Sequence, residues 1–361
     1  MATRPVSRRE FLGGVGAAAI TVGQVSPPPT SAGSLTDVAG IRVGHLTHQH
    51  RPTGCTAILF DKPPTAGANY AGSAAGESLG AMLQPVSPVD RIHGILLMGG
   101  AAMALGSTAG MVRFLEEQRI GHDWGVPNVR VPIVVGAVID DLAIGDGRLR
   151  IGPDDAYRAC QSATTGAVAE GSVGAGAGAT VGKLFVGRGM PGMKGGVGTA
   201  STRLGDVVIA ALVVVNCAGD VVDWRTGAIL AGARTADGRD FARTVDVLRR
   251  DLSTRPAPPA PPDEAQRATT LAVVATNVTL NKTQLSKLAL VTHMGAARAI
   301  NPYQTQSDGD QVLAISTGAA TPNVSLTAIG AIAAEVVADA ILRAVRAATG
   351  LPGWRSVGEL Q

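Results

Sequence analysis

The sequence predicts a layered α/β fold, and two observations lead to that class. Residues 206–216 (DVVIAALVVVN) are apolar at odd and even positions alike, which is typical of a strand buried on both faces of its sheet. Residues 326–349 place apolar side chains on one stripe at helical spacing, which is typical of a helix packed against a sheet. Sheets covered by such helices imply a layered architecture. We find neither an internal repeat nor a second composition regime that would mark an independent domain.

The same patterns predict the other elements in chain order. The folded part opens at residues 34–47 (SLTDVAGIRVGHLT). Apolar runs predict strands and amphipathic runs predict helices, namely strand 91–100, helix 101–120 followed by Gly121, strand 131–142, helix 154–171, strand 206–216, strand 270–276, helix 284–299, strand 311–317 and helix 326–349. Gly350 and Pro352 end the last helix.

Composition and charge exclude several classes of function. The chain is 45% hydrophobic, has 47 glycines and only 3% aromatic residues, which is typical of a compact protein with close backbone packing. The net charge is +3 and no basic cluster interleaves with aromatic residues, so nucleic-acid binding is not indicated. The three cysteines are widely spaced and the six histidines never fall at HExxH spacing. We therefore expect neither a disulfide framework nor a metal or other cofactor.

The N-terminal region has the pattern of an export signal. Arg8 and Arg9 precede Phe11 and Leu12 and a mildly apolar stretch, which is typical of a twin-arginine signal peptide. The apolar part is about half of the ~20 residues that a membrane span requires. We predict a signal over residues 1–32, cut after Ala32, and export in the folded state to the periplasm, the cell envelope or beyond. The alternative is a disordered N-terminus without a targeting role.

The glycine-rich segment fits neither of two phosphate-binding motifs. Residues 174–183 (GAGAGATVGK) contain four glycines and a lysine, but a Walker loop would require Gly at 177 and Ser or Thr at 184. Those positions hold Ala177 and Leu184. The segment also lacks the GxGxxG spacing. The glycines are better explained by close backbone approach or by the lining of a site.

A proline-rich linker, residues 251–268, leads directly into a β-branched strand that opens with two threonines. A cut before Thr269 would place its new α-amino group beside its own hydroxyl, with a pKa of about 7.7–8.0 that suits a general base. Thr269 is therefore a candidate N-terminal nucleophile. Thr270 points to the opposite face of the strand, so only one threonine should serve. The alternative is a plain linker and strand, with threonine present for its β-propensity.

The sequence resembles the L-aminopeptidase/D-esterase family, which includes β-peptidyl aminopeptidases and endo-type nylon-oligomer hydrolases. The resemblance covers nearly all of residues 35–349 and consists of several motifs in order. They are DVAGIRVGHLT, TGCTAILF, RIHGILLMGG, VPIVVGAVIDDL, GAGAGATVGK, TRLGDVVIAALVVVN, ATTLAVVATN, SDGDQVLAIST and LTAIGAIAAEVVADAI. Their shared order makes the match far more specific than any one motif.

The resemblance implies a precursor that cleaves itself between Ala268 and Thr269. The products would be a larger α subunit, residues 33–268, and a smaller β subunit, residues 269–361, which together form one folded domain. The implied fold is a four-layer αββα sandwich, and the implied assembly is a homo-oligomer of cleaved heterodimers. The implied substrates are small peptides or peptide-like amides, including nylon-type 6-aminohexanoate oligomers, and no cofactor is needed.

Matching motifs assign roles to five residues. Thr269 would be the nucleophile, and Asn216 would donate to the oxyanion. Lys183 would stabilise developing charge or tune the amine, and Asp308 and Asp310 would hold the surroundings of the nucleophile. Without the resemblance, Lys183 could be a solvated loop lysine, Asn216 a turn residue, and the sequence DGD an ordinary turn.

Two positions depart from the family pattern. Ala268 stands where relatives mostly have Asn or Gly, and we expect slower self-cleavage because that side chain neither assists nor relieves crowding. Asp140 stands where several relatives have Tyr or another large residue. An acid there favours a cationic group such as a substrate amine, or it caps a turn. Two functional alternatives follow: an acyltransferase that uses the same Thr269, and an uncut, non-catalytic member of the family.

Overall fold

Two five-stranded sheets lie at the centre of the fold. The computed structural model describes residues 32–254 and 268–360, which belong to one compact unit. The predicted export signal, apart from Ala32, lies outside the described residues, and so does the linker from residue 255 to residue 267. Within the two described ranges, no helix combines the length and the apolar character that crossing a membrane requires.

Fifteen strands form two large and two small sheets in the described residues. In chain order they are β1 Ile41–Thr47, β2 Gly54–Phe60, β3 Thr65–Tyr70, β4 Glu77–Ser78, β5 Gly94–Met98, β6 Val134–Val138, β7 Thr180–Val181, β8 Met193–Lys194, β9 Gly196–Leu204, β10 Val207–Asn216, β11 Asp220–Val222, β12 Ile229–Ala231, β13 Thr269–Val278, β14 Ile300–Asn301 and β15 Gln311–Ala320. The first large sheet has the order β1-β2-β5-β6-β4 and the second has the order β3-β15-β13-β10-β9. The small sheets are β12-β11-β14 and β7-β8.

Five helices lie in the described residues: α1 Thr108–Glu117, α2 Pro153–Gln161, α3 Thr244–Ser253, α4 Lys282–Ala299 and α5 Leu326–Arg346. Helices α1 and α2 cover the outer face of the first large sheet, and α4 and α5 cover that of the second. Helix α3 instead packs its Val247 against Leu184 and Phe185. Helix α4 begins at a capping box: the Asn281 side chain accepts from the backbone N–H of Gln284, and the Gln284 side chain accepts from that of Asn281, both at 2.9 Å. Short 3-10 helices span Leu35–Asp37, Gly80–Leu83, Ala101–Ser107, Gly174–Gly176, Val186–Arg188 and Val357–Leu360.

The αββα sandwich predicted above is confirmed, and alternation along the strands explains it. Ile58 of β2 and Leu212 of β10 both pack in the apolar layer between the two sheets. Their sequence neighbours point the other way, Leu59 toward α1 and α2 and Val213 toward α4 and α5. Because each sheet is covered on both faces, its central strands are apolar throughout, as the sequence of β10 indicated.

Two predicted helices differ from the structure. The helix predicted from residue 101 starts as the 3-10 segment Ala101–Ser107 and becomes α-helical only at Thr108. The helix predicted over 154–171 ends at Gln161. There the backbone of Thr164 bonds with Val43 of β1, with N–O distances of 2.9 and 3.1 Å. An edge strand thus takes up the backbone groups that a longer helix would have paired internally.

Candidate active site

Strand register brings three predicted site residues to one edge of the second sheet. Strands β10 and β13 are antiparallel, and Asn216, the last residue of β10, pairs with Thr269, the first residue of β13. Strand β15 runs parallel to β13 and pairs Gln311 with Leu271, so Asp310 lies just before β15 at the same edge. The prediction that a strand begins at Thr269 is therefore confirmed. Strand pairing brings these residues together although they are far apart in the sequence.

The Thr269 hydroxyl lies against the peptide bond between Ala268 and Thr269, which is the predicted site of self-cleavage. Its Oγ1 donates to the carbonyl oxygen of Ala268 at 2.6 Å, and the backbone N–H of Gly309 donates to the same oxygen at 2.9 Å. A Cβ at position 309 would lie 2.8 Å from the Thr269 Oγ1, so only glycine fits beside the hydroxyl. The carbonyl is thus polarised by a fixed backbone donor and contacts the candidate nucleophile.

A cavity of about 200 Å³ opens beside Thr269. Its walls carry mostly small or apolar side chains and one carboxylate; they are formed by Ala74, Gly76, Ala101, Ala102, Val138, Asp140, Ala268, Thr269 and Ser307. The Asp140 carboxylate also accepts from the backbone N–H of Leu142 at 2.9 Å, which is the contact of a turn cap. The position of Asp140 is therefore compatible with both hypotheses from the sequence, namely that it attracts a cationic group and that it caps a turn.

Hydrogen bonds to both polar atoms of its amide hold Asn216 in one orientation. Its Oδ1 accepts from the Lys183 Nζ at 2.7 Å and from the Thr180 backbone N–H at 3.0 Å. Its Nδ2 donates to the carbonyl oxygen of Asp140 at 3.1 Å. An amide nitrogen carries two protons, so this arrangement leaves a second N–H for another acceptor. Asn216 is fully buried and is the last residue of β10, so the alternative that it is a turn residue is wrong.

Lys183 is a buried cation and not a solvated loop lysine, since only 7% of its surface is exposed. Burial lowers the pKa of Lys183 from 10.5 to about 8, and the nearby carboxyl groups of Asp140 and Asp308 oppose that shift. The ammonium group therefore keeps most of its charge near neutral pH. Together with the amide of Asn216, it gives the site donors suited to a developing negative charge.

Asp308 and Asp310 form a buried acidic pair behind Thr269. The Asp310 Oδ1 accepts from the Thr270 N–H at 2.6 Å, and the Asp308 Oδ2 accepts from the Thr305 N–H at 2.7 Å. Burial raises the pKa of both carboxyls, and the neighbouring charge of Asp308 helps to raise the pKa of Asp310 to about 7. One of the two carboxyls therefore tends to hold a proton near neutral pH.

This acidic pair predicts a pH-dependent stability of the uncut chain. The folded pKa of Asp310 lies above its unfolded value of about 4, so its contribution to stability is full below that value and is lost as pH rises through about 7. We expect the free energy of unfolding of the Thr269→Ala chain, minus that of the same chain carrying Asp310→Asn, to fall between pH 4 and pH 7. Urea unfolding at several pH values measures it; a constant or rising difference would contradict the shift.

A buried ion pair beneath the site was missed by sequence reasoning. The Arg51 guanidinium donates to the Asp141 Oδ1 at 2.7 Å and to the Ile144 carbonyl at 2.8 Å, and the Thr53 hydroxyl donates to the Asp141 Oδ2 at 2.6 Å. Both charged side chains are fully buried. The pair ties the start of β2 to the loop that begins at Asp140. The only signal in the sequence was the adjacency of the two acids, whereas Arg51 lies in a polar, loop-like stretch.

Replacing Arg51 with leucine should destabilise the chain strongly. The Asp141 carboxylate would stay buried without its partner, which typically costs about 3–5 kcal/mol. The matched control is Arg148→Leu, because Arg148 pairs with Asp146 on an exposed loop and its side chain is 90% exposed. We expect the urea midpoint of the uncut Thr269→Ala chain to fall clearly with Arg51→Leu and to stay unchanged with Arg148→Leu. Equal midpoints for the two variants would refute this.

Metal-ligating side chains do not gather in the residues that the structure describes: no group of three or more His, Cys, Asp or Glu could hold an ion. The expectation of a metal-free reaction stays a prediction.

Comparison with known proteins gives consistent matches. The model of peptidase family S58 matches residues 33–357. The chain is 36% identical over 351 residues to an uncharacterized aminopeptidase of Mycobacterium bovis, with 90% of this chain and 97% of that protein covered. It is 33% identical over 321 residues to the 6-aminohexanoate-oligomer endohydrolase of Paenarthrobacter ureafaciens, with 85% and 84% covered. Its fold is similar to that of an L-aminopeptidase D-Ala-esterase/amidase from Ochrobactrum anthropi, an Ntn hydrolase variant, with a TM-score of 0.65, 20% identity and 92% of each chain covered.

Proposed function

The chain belongs to peptidase family S58 and is a hydrolase, and we propose that it cleaves itself before Thr269 and then hydrolyses small amides through that residue. The observation that carries the proposal is the contact of the Thr269 hydroxyl with the Ala268 carbonyl beside an open cavity. The buried Asn216 and Lys183 at the same sheet edge support it, because acyl transfer requires donors for an oxyanion.

Self-cleavage proceeds by acyl shift and hydrolysis. The Thr269 Oγ attacks the carbonyl carbon of Ala268 as its proton passes to a base, and the Gly309 N–H stabilises the oxyanion. The carbon–nitrogen bond then breaks while the nitrogen takes up a proton, which leaves an ester between Ala268 and the Thr269 oxygen. Water hydrolyses this ester and releases the Ala268 carboxylate, together with the free amine and hydroxyl of Thr269.

Amide hydrolysis uses the same hydroxyl with the new amine as its base. The amine takes the hydroxyl proton as the Thr269 Oγ attacks the substrate carbonyl carbon. The second N–H of the Asn216 amide donates a hydrogen bond to the oxyanion, and the Lys183 cation stabilises the negative charge of that oxyanion. The leaving amine departs with a proton, and water then hydrolyses the acyl ester. Asp308 and Asp310 anchor Thr270 and the loop around Gly309, which keeps the nucleophile in place.

The cavity supports small amides with a slender acyl chain as substrates. Its walls are lined mainly by small side chains, and the Asp140 carboxylate would attract a cationic group such as a substrate amine. Peptides with a free amino group and 6-aminohexanoate oligomers both combine a slender acyl chain with a cationic amine. One relative is named for endohydrolysis of such oligomers, so this substrate class is part of the proposal for the present chain.

Product analysis tests the proposal. The purified protein is incubated with alanyl p-nitroanilide and with a 6-aminohexanoate trimer, in water and with added hydroxylamine. We expect carboxylate products in water and hydroxamates with hydroxylamine, because an acyl ester can be intercepted by either nucleophile. No reaction with either substrate would refute the amide hydrolase. Product formed only when an amino acid acceptor is added would identify the acyltransferase alternative.

Export by the twin-arginine route and assembly of cleaved pairs into a homo-oligomer complete the proposal. Support for export comes from Arg8 and Arg9 with the apolar residues that follow them. Support for assembly comes from the family resemblance. Cell fractionation of a chain with lysine at both arginine positions, and light scattering of the processed protein, test the two parts separately.

A further inference from the structure

We propose that Lys194 is a positioning residue that fixes Asn216 through the glycine-rich loop 174–183. The inference rests on the proposed function, in which Asn216 donates to the oxyanion. It concerns a buried lysine that the chemistry above does not use. Lys194 does not line the cavity, so any effect on turnover must pass through other residues.

Lys194 fastens the loop by three hydrogen bonds. Its side chain is fully buried, and its Nζ donates to the carbonyl oxygens of Gly176 at 2.8 Å, Ala179 at 2.9 Å and Gly195 at 2.9 Å. An ammonium group has three protons, and each of them is used here. Two of the three acceptors belong to the glycine-rich loop, so the ammonium group ties that loop to β8.

The loop in turn sets the orientation of Asn216. Two residues of this loop, Thr180 and Lys183, supply the donors to the Asn216 Oδ1. Thr180 also pairs with Lys194 across the short sheet of β7 and β8. If the loop moved, the amide of Asn216 would lose both donors and its nitrogen would no longer be directed by them. A displacement of about 1 Å at a catalytic donor can cost about 10²-fold in rate.

The hydrogen bonds of Lys194 depend on its ionisation, which burial opposes. Burial lowers the pKa of Lys194 to about 7, and the charge of Asp141 opposes the shift. Only the charged form offers three protons to the three carbonyls. A neutral side chain of similar length should therefore release at least part of the loop.

Lys194→Met tests the inference, and the chain offers a matched control. Lys282 is also buried, and its Nζ donates to the carbonyl oxygens of Met82, Ser87 and Val89 at 2.8, 3.0 and 2.5 Å, outside the site. Both variants remove a lysine that caps three carbonyls. On fully cut protein with alanyl p-nitroanilide, we expect Lys194→Met to lower kcat about 10²-fold with KM nearly unchanged. Lys282→Met should leave kcat and KM near wild type.

A double-mutant cycle separates positioning from general damage. If Lys194 acts through Asn216, adding Lys194→Met to Asn216→Ala should lower kcat by no more than about threefold beyond Asn216→Ala alone. Full additivity would overturn the inference, and so would wild-type kcat in Lys194→Met. If Lys194→Met does not fold, Lys194→Gln is measured by the same criteria, because its amide retains two donors.

The outcomes also distinguish this inference from the proposed function. Loss of turnover in Asn216→Ala with wild-type turnover in Lys194→Met overturns the role of Lys194 alone. Wild-type turnover in Asn216→Ala overturns the proposed oxyanion donor and, with it, the role of Lys194.

Discussion

Replacing Thr269 with alanine is expected to leave a folded chain that is neither cut nor active. Both proposed steps use the same Oγ atom, once against the Ala268 carbonyl and once against the substrate, so both lose their nucleophile. The residue is 6% exposed at the start of β13, and the removed hydroxyl bonds only to the adjacent carbonyl among the described residues, so the fold should persist. A denaturing gel and an amide hydrolysis assay measure the two losses.

Two neighbouring variants serve as controls for this result. Thr269→Ser keeps the Oγ atom and should retain both self-cleavage and hydrolysis. Thr270→Ala should be cut almost normally, because Thr270 contributes a backbone N–H to Asp310 that alanine also has. Hydrolysis by the uncut Thr269→Ala chain would show that another group is the nucleophile, and failure of Thr270→Ala to be cut would show that the two threonines were assigned in the wrong order.

Asn216→Ala should lower amide turnover about 10²–10³-fold, which is the usual loss when one oxyanion donor is removed. Self-cleavage should continue at least in part, because the Gly309 N–H already donates to the Ala268 carbonyl. The rate constant is measured on fully cut protein, so that slow processing is not mistaken for slow chemistry.

Asn277→Ala is the matched control for this variant. The Asn277 side chain also bridges two backbone groups of the second sheet, accepting from Val208 and donating to Asp206, but it lies at the opposite end of β13. Its loss should affect stability without lowering turnover in the same way. A near-wild-type rate constant for Asn216→Ala would remove Asn216 from the site.

The layers of the fold could be predicted because the apolar pattern of the central strands is strong. Strand β10 was placed to within one residue, since a run of valines and alanines between two covered faces has one explanation. Strand β9 (GVGTASTRL) and strand β3 (TAGANY) were not predicted, because glycine, alanine and serine carry little β-propensity. Their place in the sheet is set by pairing with β10 and β15, which no local pattern records.

The site was predicted in part for a similar reason. Thr269, Asn216 and Lys183 lie in segments with recognisable motifs, and the structure brings them to one edge of the second sheet. The contacts that orient them come from backbone groups, such as the Gly309 and Thr180 N–H, and backbone groups leave no trace in residue identity. Buried charged residues such as Arg51 and Lys194 were missed because arginine and lysine usually occupy exposed positions on the protein surface.

The mass of the C-terminal fragment tests the central claim most directly. The protein is purified after expression, separated under denaturing conditions, and its smaller band is measured by intact mass spectrometry. The mechanism predicts a fragment that begins at Thr269 and runs to Gln361, present in every preparation that hydrolyses amides. A fragment that begins at Thr270, or full activity from a chain that remains uncut, would contradict the assignment of Thr269 as the N-terminal nucleophile.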